Sequence, residues 1–71
     1  MNKISFLSVV ALLEDVPSHQ LVRGQVGTVV EHLRPGVYEV EFSDDNGRTY
    51  ESLALRPELL IVLHHKMSKA A

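Results

Sequence analysis

Seventy-one residues, seven basic and nine acidic, give a formal net charge of −2 and no cysteine. A chain this short folds as one domain that buries only about 60% of the surface its unfolded form exposes, so its core is thin. Without cysteine there is no disulfide and no thiolate site, and without a basic excess there is no electrostatic footprint for a phosphate backbone.

Met1-Asn2-Lys3 ahead of Ile4 to Leu13 has the outline of a secretory leader, but Ser5 and Ser8 interrupt it and Glu14-Asp15 follows where small residues would stand. The longest apolar run, Val9 to Leu13, is far short of the about 20 residues a membrane-spanning helix needs. Residues 1–4 read as a loose end, and Ser5 to Leu13 as a first strand carrying the β-branched pair Val9-Val10. Glu14 to Arg23, with Pro17, Ser18, His19 and Gln20, has no period and reads as one long loop. It exceeds an ordinary hairpin connection, and such loops often carry binding residues.

Arg23-Gly24-Gln25-Val26-Gly27-Thr28-Val29-Val30-Glu31 sets two glycines three apart before a β-branched run. Glycine there serves a positive φ or the close approach of another backbone, and predicts a tight entry or a bulge leading into a strand over Val26 to Leu33. Arg34-Pro35-Gly36 is a turn, and Val37 to Ser43 alternates Tyr38, Val40 and Phe42 with Glu39, Glu41 and Ser43, as a half-buried strand does. Asp44-Asp45-Asn46-Gly47 is a hairpin turn leading to a strand over Arg48 to Ala54, whose mixed parities predict a twist or bulge. Arg56-Pro57-Glu58 makes a short helical turn before a last strand over Leu59 to Leu63, and the chain frays from His64 on. The whole chain, residues 1–71, is thus expected to be a single all-β domain ordered over about 5–64. Its architecture is a small five-stranded antiparallel SH3-like barrel with one 3-10 turn before the last strand.

The run from Leu21 to Glu31, the Tyr38-Glu39-Val40-Glu41-Phe42 strand, and Leu53 with Leu55-Arg56-Pro57-Glu58-Leu59-Leu60 resemble a family of small uncharacterised bacterial proteins. The family is catalogued as a domain of unknown function, and the resemblance spans Phe6 to Leu63 and implies an SH3-like barrel. A more distant likeness is to the barrel of the nitrile hydratase β-subunit and its small activators. There His19, Arg23, Gly24, Gly27, Val29, Tyr38, Val40 and Phe42 fit, whereas Ser18 and Leu21 replace a glycine and an arginine. That likeness implies a barrel that pairs with another subunit and no hydratase activity.

Chemistry-bearing residues have plainer readings. His64-His65, with His19 or His32, could ligate a metal, but adjacent strand residues point to opposite faces and suit a solvated tail better. His19 alone is a loop histidine that could make contacts or sense pH. Asp44, Asp45 and Asn46 lack the spacing of a calcium loop and fit the capping of a turn. Glu39, Glu41 and Glu51 read as the wet face of neighbouring strands, balanced by Arg48, not as catalytic carboxylates. Tyr38 reads as core. Tyr50 is the aromatic more suited to an exposed position, where bases could stack but for the acidic neighbours. No nucleophile elbow or phosphate loop is present, and no metal or cofactor is expected.

The expected function is a non-catalytic, cytoplasmic protein-interaction module with no membrane contact. Its candidate contact residues are Pro17, His19, Leu21, Val22, Arg23 and Tyr50, with Leu21 and Val22 supplying apolar contact and Arg23 pairing a carboxylate. One version is a homodimer. Another is the small antitoxin- or immunity-like partner of a protein encoded nearby. The competing reading is a nucleic-acid-binding barrel of the ribosomal or transcription-factor type, which the acidic balance disfavours.

Overall fold

The computed structural model describes residues 4–64. Five strands follow in order: β1 (Val9–Leu12), β2 (Val26–Arg34), β3 (Val37–Ser43), β4 (Thr49–Leu55) and β5 (Leu60–Val62). They form one antiparallel sheet in the order β4-β3-β2-β1-β5. The expected class, all-β with five antiparallel strands and a 3-10 turn before the last, is the observed one; that turn is Pro57–Leu59. Among the described residues no helix is long and apolar enough to cross a membrane.

Topology and loop length together force the sheet to roll. β4 and β5 are its two edges, yet only residues 56–59 join them. In a flat sheet the edges would lie four strand spacings apart, roughly 19 Å. Those residues are largely spent on a 3-10 turn, which rises about 2 Å per residue. The edges must therefore converge at this end, and Leu55 and Leu60 on either side of the turn both join the core. Bulges aid the roll by adding twist. The β2–β3 register skips Val30 and Leu33, and the β3–β4 register skips Tyr50, which answers the mixed parities of the fourth strand.

The core consists of Val10, Leu12, Leu21, Val29, Val40, Phe42, Leu55 and Leu60. Tyr38 is only partly buried, packs against this cluster and stacks on His32 at 4.6 Å between ring centroids. The first strand is shorter than Ser5 to Leu13. Ser5 to Ser8 close a turn in which Ser8 N–H donates to Ser5 O, and Leu7 takes φ +68°.

The two glycines before β2 do different jobs. Gly24 has φ +93°, and a Cβ there would meet open space. Gly27 lies opposite Phe42 in the register, and a Cβ on it would stand 2.7 Å from Val40 Cγ1 and 2.8 Å from Glu41 O. The first glycine turns the chain, and the second lets β3 pack its two core side chains over β2.

Candidate functional site

The segment between β1 and β2, expected to be one long loop over Glu14 to Arg23, contains a 3-10 turn at Pro17–His19. Proline at its start presets φ, and Gln20 closes it with φ 58°. An isolated bridge surrounds the turn, Val16 N–H donating to Leu21 O at 2.8 Å and Leu21 N–H to Val16 O at 3.2 Å. This closure corrects the expectation for Leu21. At 1% exposure it belongs to the core, because the bridge turns its side chain under the loop. It is not available as a surface contact.

Polar side chains fix the rest of the loop. Asp15 Oδ1 accepts from Arg23 N–H at 2.8 Å, and Gln25 Oε1 accepts from Val22 N–H at 2.6 Å. The same Gln25 donates through Nε2 to the Tyr50 hydroxyl at 2.7 Å. His19 Nδ1 lies 2.7 Å from Glu51 Oε2. Two bonds thus tie the loop to β4, across the rolled sheet. Strand alternation sets Glu51 on the face of Leu53 and Leu55, opposite Phe42 in the register, and there it meets His19. The His19 hydrogen bond holds the Glu51 carboxyl below its ordinary value, against a smaller opposing effect of desolvation.

Of the candidate residues, Pro17, His19, Val22, Arg23 and Tyr50 are exposed. His19 and the Tyr50 hydroxyl are engaged within the fold, so the freely offered groups are the Pro17 ring, the Val22 side chain, the Arg23 guanidinium and the face of the Tyr50 ring. Asp15, Gln25 and Glu51, which organise this surface, were not singled out as loop anchors in the sequence. Gln25, a long amide between two glycines, was the available signal for a loop clamp.

The other chemistry falls into place locally. Asp44 Oδ1 accepts from the N–H groups of Asn46 and Arg48, both at 2.9 Å, and so spends itself on the turn. Glu39 accepts from the Ser52 hydroxyl and Glu41 from the Thr49 hydroxyl. Arg48, expected to balance these carboxylates, forms no ion pair with them among the described residues; they take hydrogen bonds from hydroxyls and keep their charge uncompensated. Among the described residues no group of three or more His, Asp or Glu is placed to hold a metal ion. His65 of the histidine pair lies outside the described residues.

A family model described as a domain of unknown function, DUF4926, matches residues 6–62. The chain belongs to this family. The match runs from the turn before β1 to the end of β5, and so covers the loop and its anchors as well as the sheet. No curated protein matches the chain, and neither does any solved structure.

Proposed function

We propose that this DUF4926 domain is a non-catalytic protein-interaction module, and that it binds through the surface formed by the loop over residues 14–25 together with Tyr50. The observation that carries the reading is the pre-ordering of that loop. Four side-chain hydrogen bonds, from Asp15, His19 and Gln25, hold it to itself and to β4 while Pro17, Val22 and Arg23 stay outward. A segment already fixed in its binding shape loses little conformational entropy on association. Val22 and the Tyr50 ring would supply apolar contact, and Arg23 would pair a carboxylate of the partner. His19 acts in this reading as a positioning residue, through Glu51. The setting proposed is cytoplasmic, with a partner encoded nearby, in the manner of an antitoxin- or immunity-like subunit.

The test is affinity capture of the product of the adjacent gene by wild-type chain and by a Val22→Ser/Arg23→Ala double variant. Loss of capture with the fold intact supports the loop surface; equal capture removes it. A complex with RNA or DNA at low salt that dissolves as salt rises would favour the nucleic-acid reading instead.

A further inference from the structure

The strand registers set the outer surface of the sheet in rows. Val26, Ala11 and Ile61 are successive partners across β2, β1 and β5. Thr28 and Val9 form the next row with Leu63, whose N–H donates to Val9 O at 2.8 Å. Leu13, bonded through its N–H to Leu59 O, ends the patch. Side chains alternate along a strand, so Val9, Ala11, Val26, Thr28 and Ile61 face away from Val10, Leu12 and Leu60, while Leu13 and Leu63 continue the strands as exposed apolar residues. Ala11 makes the point: it is 8% exposed yet stands outside the core cluster, flanked by Val26 at 48% and Ile61 at 42%. None of the seven is charged. The other half of the same surface is acidic: Glu41 partners Thr28, and Glu31 partners Glu39 across β2 and β3. No Lys or Arg pairs with these three carboxylates among the described residues.

We infer that the outer face of β2, β1 and β5 packs on the same face of a second copy, about a two-fold axis running along β1. Charge selects both the occupant and the axis. An uncharged patch can meet itself without opposing like charges, which the β3–β4 half of this acidic chain cannot do. A two-fold axis across the strands would stack Glu31, Glu39 and Glu41 on their own copies. An axis along β1 sets Ala11 against its copy and Ile61 against the partner copy's valine at position 26, and sends the acidic halves to opposite sides. The small Ala11 side chain at the centre lets two convex sheets approach to the usual spacing of about 10 Å. The seven residues named are far fewer than the roughly 20–30 a side of a stable interface, so association is expected only at tens of micromolar and above. It uses none of the loop residues of the proposed binding surface.

Light scattering on the purified full chain, from about 10 μM to about 1 mM, reads the association directly. The expected mass rises to twice the 7.9 kDa of one chain. Ile61→Glu should return it to a single chain with an unchanged circular dichroism spectrum, and Val22→Ser should leave the dimer intact. A wild-type chain that stays single throughout overturns the inference, as does a dimer that survives Ile61→Glu. The chain has no native cysteine. Val26→Cys and Ile61→Cys chains, mixed and treated with a bis-maleimide spanning about 10 Å, should therefore cross-link, and Glu39→Cys chains should not. The reverse pattern overturns the axis, and this test decides the matter if Ile61→Glu fails to fold.

Discussion

His19 of the first loop and Glu51 of β4 stand 2.7 Å apart, thirty-two residues distant in sequence. Their bond is one of two side-chain hydrogen bonds from the loop to the fourth strand; Gln25 makes the other, to Tyr50. It gives the loop a pH-dependent anchor whose sign follows from Glu51. The carboxyl is held below its ordinary value of 4.5 in the folded chain. Its contribution to stability is therefore present above the ordinary carboxylate range and is lost as pH falls through the lower, folded value. Glu51→Gln should lower the melting temperature slightly at pH 7, and the gap to wild type should close in acid. A gap that persists unchanged at a pH well below the lowered folded value would show that the pair does not act through the Glu51 charge.

Leu21 and Val22 are adjacent and both apolar, yet only the first is buried. Leu21→Ala should cost about 2–5 kcal/mol, enough to unfold much of a domain this small. Val22→Ala, at an exposed position, should stay within about 0.5 kcal/mol. Urea titrations of the two variants separate the core residue from the contact residue.

Gly27→Ala should destabilise more than Gly24→Ala, for a different reason in each case. At Gly27 the added methyl meets the Glu41 carbonyl and the Val40 side chain, and overpacking of that kind costs about 1–3 kcal/mol. At Gly24 space is open, and the cost is the positive φ alone, about 1 kcal/mol. Gly24→Asn should recover part of the loss, and Gly27→Asn none. Denaturation midpoints measure both comparisons.

Gln25 joins Val22 N–H to the Tyr50 hydroxyl. Gln25→Ala should free the Val22 amide and speed its hydrogen exchange by about fivefold, the equivalent of one hydrogen bond of about 1 kcal/mol. Tyr50→Phe removes only the second link and should leave the Val22 amide protected. Equal exchange in all three chains would mean that the clamp does not hold the loop.

Much of this molecule was written in local signals. Asn46-Gly47 and Pro35-Gly36 marked the two hairpin turns, and strict alternation marked β3. The mixed parities of the fourth strand anticipated the bulge at Tyr50. These features need only neighbours in sequence, because turn chemistry and the period-2 pattern act over a few residues. The strand expected from Ser5 begins at Val9, because Phe6 and Leu7 suit a turn as well as a strand until their backbone partners are known.

Class, strand order along the chain and turn positions follow from local residue pattern, because each rests on the φ, ψ and polarity of adjacent residues. Long-range packing settled that Leu21 goes inward, that His19 meets Glu51, and that Val26, Ala11 and Ile61 line up in one row. Those outcomes depend on register and on the rolling of the sheet, which set residues far apart in the chain side by side, and no local pattern encodes which distant strand will supply the neighbour.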